Sequence, residues 1–351
     1  MRRAGGHRFA DAGLLIGSLA FAVALLELAV RWIEPQPAYQ YRFSPTTFYE
    51  PIPNARFVHQ REEFSVPITY NAFGMRDRSR ALEKPPGALR IALIGDSFAE
   101  GKEVPLDSTV AQCLERRLSA AFPEQPVEVL NFGVAGFGTA ASTVRFETLA
   151  TRFQPDLAIY LFVHNDPSDN VGRDARLYTV TDSRMEFRTY RLGPGRRVAR
   201  SVIDWVKQHL HSYRFVRFRI DRALAGRRAR RSGADGEALA DAANGGGSAP
   251  DERAWMMTRL AIERLQESVR ASGATLVVAQ ATTTGASMTS RISAICEQAG
   301  IPFIDLVPAL AADPGPVTLE TDGHWCARGH DVAAATLAPA VAQILRAMPK
   351  K

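Results

Sequence analysis

From Leu89 onward the chain carries five short apolar runs, each with the composition of a strand, and these constrain its fold more than any other feature. They are Arg90–Ile94, Val127–Leu130, Leu157–Val163, Thr275–Ala279 and Ile301–Leu306. Helically patterned segments separate most of them, at about Ser108–Phe122, Thr139–Phe153, Asp251–Ala271, Ser287–Ala299 and Gly329–Met348. Apolar runs alternating with helices predict a parallel sheet covered on both faces. The expected architecture is a three-layer α/β/α sandwich around a mainly five-stranded parallel sheet. The 351 residues fit one such domain with extensions.

The alternation breaks after the third run, where residues 167–250 form an insertion. Its middle part, Ser201–Leu224, mixes aromatic and basic residues at helical spacing, which suits a membrane surface, a cap over an active site, or a pair of helices whose arginines are simply solvated. The part from Gly233 to Glu252 is rich in Gly, Ala and Asp and reads as a flexible linker. The insertion also explains the charge. The chain carries a formal +6, yet residues 188–231 alone hold fourteen Arg or Lys against Asp204 and Asp221. The remainder is slightly acidic, and no zinc finger or RNA-binding aromatic motif accompanies the basic stretch, so no nucleic-acid partner is expected. Three cysteines, Cys113, Cys296 and Cys326, make no disulfide framework and leave the redox compartment open.

Ahead of the first run lie two further segments. Ala12–Val30 is a nineteen-residue apolar stretch with one charge, Glu27, and is about the length that crosses a hydrocarbon core of roughly 30 Å. Arg2, Arg3 and Arg8 precede it, so the positive-inside rule predicts a single-pass anchor with a cytoplasmic N-terminus and everything after Arg31 outside. A cleaved signal peptide is the rival. Its small-residue patterns, Ala20-Phe21-Ala22 and Ala22-Val23-Ala24, fall inside the apolar run, which favours an uncleaved anchor. Glu27 lies four residues before Arg31, and an i,i+4 pair near the outer interface accounts for it. Residues 34–88 hold eight prolines and no long periodic run, and read as a stalk and lead-in. The expected division is therefore an anchor at 1–33, a lead-in at 34–88 and a main domain at 89–351.

Four blocks carry polar chemistry. In an open parallel sheet, ligands sit beyond the carboxyl ends of the strands. Gly95-Asp96-Ser97-Phe98 follows the first run, where the Ser97 hydroxyl can be exposed; alone, the tripeptide is as often a plain turn. Asn131-Phe-Gly-Val-Ala-Gly136-Phe-Gly follows the second, where glycines allow close backbone approach or simply a turn. Val163-His164-Asn165-Asp166 follows the third, where an amide can donate to a developing oxyanion or cap a helix. Thr321-Asp322-Gly323-His324-Trp325 precedes the last helix, with an acid and a histidine placed to orient and deprotonate a hydroxyl nucleophile. Asp322, His324, Cys326 and His330 also cluster as potential metal ligands, but no second Cys/His group completes a tetrahedral set. Neither a metal nor a cofactor is expected.

Four such blocks in this order resemble the SGNH (GDSL-like) hydrolase superfamily, over about Leu89–Ala347 with the insertion unmatched. The resemblance implies a flavodoxin-like SGNH fold and serine ester hydrolysis. It implies Ser97 as nucleophile, His324 as base and Asp322 as its acid partner, with Ser97, Gly136 and Asn165 as oxyanion donors. There are three departures: Phe98 replaces the family's Leu, Val163 replaces the glycine of the third block, and the acid–base spacing is Asp-x-His. That spacing is similar to the envelope polysaccharide O-acetylation proteins of the superfamily, which keeps acyl transfer to a glycan open beside hydrolysis. The anchor, the Pro-rich lead-in and Asn71-Ala-Phe-Gly74-Met-Arg76 look like bacterial membrane-anchored members. The expected partners are an ester-bearing small molecule or glycan, and a membrane through the N-terminal helix.

Overall fold

The computed structural model describes residues 4–34, 36, 39–220, 250–282 and 285–348. Arg2 and Arg3, the insertion beyond Ile220 and all but the end of the Gly/Ala/Asp-rich stretch lie outside the described residues. The chain divides into two compact units. One comprises the described residues of Met1–Tyr39 and Leu192–Leu239, the other those of Gln40–Arg191 and Ala240–Lys351.

The larger unit is built on five parallel strands: β5 (Leu89–Gly95), β6 (Val127–Asn131), β7 (Leu157–Phe162), β10 (Thr275–Gln280) and β11 (Phe303–Asp305). Their order is β11-β10-β7-β5-β6, so the chain leaves the interior β5 for the β6 edge and then crosses back to β7, the central strand, and on to the other side. The last strand is shorter than the apolar run Ile301–Leu306 because Pro302 has no N–H to give the ladder.

Successive residues of each strand enter opposite cores, as the two-residue period requires. Ile91, Leu93, Leu157, Ile159 and Leu161 face one core with helices α3 (Val110–Ala121), α10 (Val307–Ala312) and α11 (Ala327–Ala347). Ala92, Ile94, Ala158, Tyr160 and Phe162 face the other, which includes residues of α4 (Thr139–Thr148), α8 (Glu252–Ala271) and α9 (Ala286–Ala299). This is the SGNH three-layer α/β/α architecture, and burial on both faces is why the strands read as unbroken apolar runs.

The lead-in contributes two small antiparallel pairs, β1 (Tyr41–Arg42) with β2 (Glu50–Pro51) and β3 (Arg56–Gln60) with β4 (Ser65–Thr69). A third pair, β8 (Tyr178–Thr181) with β9 (Arg184–Phe187), opens the insertion. The Asn71–Arg76 stretch ties the lead-in to the segment that follows β5. Asn71 Oδ1 accepts from the N–H groups of Phe73 and Met75, and the fully buried Arg76 donates to the carbonyls of Glu100, Gly101 and Val104.

The smaller unit holds α1 (Ala4–Ile33), α6 (Pro194–His209) and a helical stretch at 211–220, here α7. Asp11–Ile33 is long and apolar enough to cross a membrane, a test that a signal sequence also passes. Glu27 and Arg31 form the expected i,i+4 pair at 2.6 Å.

Candidate active site

β5 is buried from Arg90 to its end at Gly95 and turns into the short helix α2 (Ser97–Glu100). Asp96 caps that helix, its Oδ1 accepting from the Phe98 N–H at 2.9 Å. Burial raises the Asp96 carboxyl to about 6. The cap fixes the turn, so the Ser97 hydroxyl starts from a rigid base at the end of an interior strand.

The structure brings Ser97, His324 and Asp322 together. His324 Nε2 lies 2.8 Å from Ser97 Oγ, and His324 Nδ1 is hydrogen-bonded to Asp322 Oδ1. A carboxylate can only accept, so in the neutral ring Nδ1 carries the proton and Nε2 accepts from the serine hydroxyl. Burial works against the charged imidazole, but the Asp322 hydrogen bond and the negative charges of Glu103, Asp322 and Asp96 raise its pKa above the ordinary histidine value. The same hydrogen bond holds Asp322 below the usual carboxylate range. Phe98 packs against the imidazole with ring centroids 4.9 Å apart and meets Trp325 edge-on at 5.2 Å, so the residue in the family's leucine position forms one wall of the histidine.

The histidine loop is held by few internal contacts. Thr318 and Trp325 form an isolated bridge, Leu319 N–H donates to the His324 carbonyl at 2.8 Å, and Cys326 N–H donates to the Val317 carbonyl at 3.0 Å. A brace comes from the lead-in. Glu63, between β3 and β4, accepts from the N–H groups of Glu320 (2.6 Å), Thr321 (3.0 Å) and Asp322 (3.2 Å) and from the Thr321 hydroxyl (2.5 Å). A second acid, Glu103, places a carboxylate oxygen within 4.8 Å of the ligand atoms of both Asp322 and His324. Its Oε1 lies 3.6 Å from His59 Nε2, while its Oε2 is buried with no hydrogen-bond partner. Sequence patterning marked neither acid, because both act across the fold.

Glu103, Asp322 and His324 are the described residues whose grouping could hold an ion. Both His324 nitrogens are already hydrogen-bonded, to Ser97 and Asp322. His330 is excluded from such a group by its position. It is buried, accepts from the Val110 N–H through Nδ1 at 3.2 Å, and is pushed down to about 3 by burial, so it acts as a neutral cap on α3. Cys326 Sγ contacts the Pro316 carbonyl at 3.1 Å, and the three cysteines are free thiols.

The other two predicted residues sit on neighbouring loops. Gly136 has φ +78°, and a Cβ there would come within 1.9 Å of Arg173 Nη1 and 2.9 Å of the Tyr49 hydroxyl, so the position requires glycine. Its carbonyl accepts from Arg173 at 2.5 Å, and the preceding Ala135 is held at its carbonyl by Tyr49 (2.9 Å) and at its N–H by Glu100 (2.6 Å). Asn165 precedes α5 (Asp166–Val171), and one N–H of its amide donates to Asp169 Oδ2 at 2.9 Å. Asp166, beside it, is a buried structural acid accepting from Tyr160 O–H (2.8 Å) and Val163 N–H (2.9 Å).

A serine at a capped strand end, with a histidine and an acid in line, is an arrangement able to carry out acyl transfer. The chain matches the model of the GDSL-like lipase/acylhydrolase family over residues 93–332 and belongs to that family, which makes it a hydrolase by class. No curated protein matches it in sequence. Similar solved structures include a two-domain esterase (CEX) active on acetylated mannans, at TM-score 0.41 and 13% identity, covering 73% of this chain and 50% of that one. Another is the lipase/acylhydrolase from Enterococcus faecalis, at TM-score 0.40 and 14% identity, covering 75% and 99%. A third is the psychrotrophic esterase EstA from Pseudoalteromonas sp., at TM-score 0.41 and 9% identity, covering 73% and 98%. The chain thus spans half the length of the two-domain esterase.

Proposed function

We propose that this protein is a serine ester hydrolase acting on acyl or acetyl esters at the cell envelope, with Ser97 as nucleophile, His324 as general base and Asp322 as its orienting acid. The observation that carries this reading is the 2.8 Å approach of His324 Nε2 to Ser97 Oγ with Nδ1 committed to Asp322. Ser97 Oγ attacks the ester carbonyl as its proton passes to Nε2. The oxyanion is received by the N–H groups of Ser97 and Gly136 and by the second amide N–H of Asn165. Collapse expels the alcohol, which takes the proton from His324, and leaves an acyl-serine. Water then attacks the acyl-serine, giving its proton to His324, and the acid departs as Ser97 regains its own.

In this reading residues 1–33 anchor the chain with a cytoplasmic N-terminus, 34–88 lead in, and 89–351 form the catalytic domain outside. A fluorophosphonate probe tests the chemistry directly. The wild type should be labelled at Ser97 and should hydrolyse a short-chain aryl ester; absence of both overturns the proposal. A second reading, transfer of the acyl group to a sugar hydroxyl of an envelope glycan, is favoured by the Asp322-x-His324 spacing. It shares every step up to the acyl-serine, and product analysis with an acetylated donor and a glycan acceptor separates the two.

A further inference from the structure

Within the smaller unit, Glu27 does more than pair with Arg31. Its Oε1 also accepts from the His211 N–H at 2.9 Å, and its Oε2 accepts from both the Ser212 N–H (2.8 Å) and the Ser212 hydroxyl (2.7 Å). An acid on α1 therefore caps the start of α7, satisfying backbone donors that a helix's first turn leaves open. The clasp is doubled: Arg31 Nη2 donates to the His209 carbonyl at 2.8 Å, and the Gln36 N–H donates to His211 Nδ1 at 2.9 Å. The elbow between α6 and α7 is thus fastened to the last two turns of the apolar stretch Asp11–Ile33. Whatever depth that end of α1 takes in a bilayer, the elbow takes with it.

Both helices leaving the elbow carry apolar side chains with no cover. Val198, Val202 and Trp205, at i, i+4 and i+7, form one exposed face of α6, with Trp205 at 55%. Val216, Phe218 and Ile220 are exposed on α7, with Phe218 at 56%. The described stretch 192–220 holds seven Arg or Lys against Asp204 alone. Exposed aromatic and aliphatic residues on a basic amphipathic helix suit the headgroup–acyl boundary of a membrane, and the positive charge selects anionic lipid.

We propose that α6 and α7 form an elbow lying in the interface of an anionic bilayer where α1 emerges, with Glu27 as its fastener. This rests on the reading of α1 as a membrane span. The insertion then fixes the catalytic chain to the surface through a second element besides the anchor.

The test uses the full chain in nanodiscs of equimolar phosphatidylcholine and phosphatidylglycerol, or of phosphatidylcholine alone. Some of the lipid is brominated near the carbonyl end of its acyl chains, and bromine quenches nearby tryptophan. Comparing the wild type with Trp205→Phe and Trp32→Phe isolates each emission, since Trp255 and Trp325 are buried. Trp205 should be quenched, more strongly with phosphatidylglycerol, and Glu27→Gln should weaken that quenching while leaving Trp32 unchanged. Quenched Trp32 with unquenched Trp205 overturns the elbow while leaving the span intact, and shows the apolar faces to be covered by protein. If neither is quenched, the span itself fails. Undiminished Trp205 quenching in Glu27→Gln overturns the fastener role.

Discussion

The carboxylate of Glu63 receives the backbone N–H of Asp322 at 3.2 Å across a sequence separation of 259 residues. With three further donors from Glu320 and Thr321, it holds the loop that carries Asp322 and His324. The hydrogen bonds, led by that from the Thr321 hydroxyl, keep the Glu63 carboxyl below the usual range. Glu63→Ala should therefore lower kcat by about tenfold, through misplacement of His324, while KM and the melting temperature change little. Steady-state kinetics beside a thermal melt check this, and a melt lowered in proportion to activity would assign Glu63 to stability alone.

The Ser97–His324–Asp322 line makes a graded prediction. Ser97→Ala should abolish fluorophosphonate labelling, and His324→Ala should slow it by roughly three orders of magnitude or more. Asp322→Asn should be nearly as severe if the amide donates to Nδ1 and turns the ring into the wrong tautomer. Mass spectrometry of the labelled peptide decides each case.

The pH profile follows from the charges around the imidazole. In the proposed mechanism His324 must be neutral to accept the Ser97 proton, and its pKa is raised above the ordinary histidine range despite its burial. The acid limb of kcat/KM should accordingly lie above that range, with activity rising as pH increases through it. Glu103 contributes to the raised value, so Glu103→Gln should move the limb to lower pH. A limb that stays in place in Glu103→Gln refutes the electrostatic role.

At the oxyanion side, Gly136→Ala must accommodate a Cβ at φ +78° against Arg173 and Tyr49. It should cost about 1–3 kcal/mol in stability and displace the N–H assigned to the oxyanion. Arg173→Ala in the same chain should recover part of the stability but not the turnover, because the backbone strain remains. Asn165→Ala should lower kcat by about 10²-fold while leaving probe access to Ser97.

Much of this arrangement was legible in the residues. The five apolar runs identified the sheet because buried parallel strands need unbroken hydrophobicity, and three of the four polar blocks fell at strand ends, with the fourth just before the last helix. What was not legible depended on long separations. Glu63 is an ordinary turn acid until the fold brings Asp322 to it, and Glu27 reads as a local partner of Arg31 until Ser212, 185 residues away, reaches it. β4 shows an alternating burial pattern that its sequence half-conceals, since Pro67 takes an outward position on a two-stranded edge. His330 and Cys326 sit close to His324 in sequence, yet the helix that starts at Ala327 turns His330 toward α3, away from the site that the spacing alone suggested.

The two halves of the site are secured very differently. Ser97 is continuous with β5, an interior strand paired on both sides, and cannot move unless the sheet comes apart. The loop bearing Asp322 and His324 is anchored at its end by the buried Trp325, and the rest of it is tied by one bridge, a few backbone bonds and an exposed carboxylate. Local opening of that loop costs less than unfolding the core. On warming, the protein should thus lose the His324–Ser97 contact before it loses its fold. Inactivation would be an early, reversible event set by the loop, with recovery on cooling, and the thermal optimum for turnover would sit below the melting temperature of the sheet.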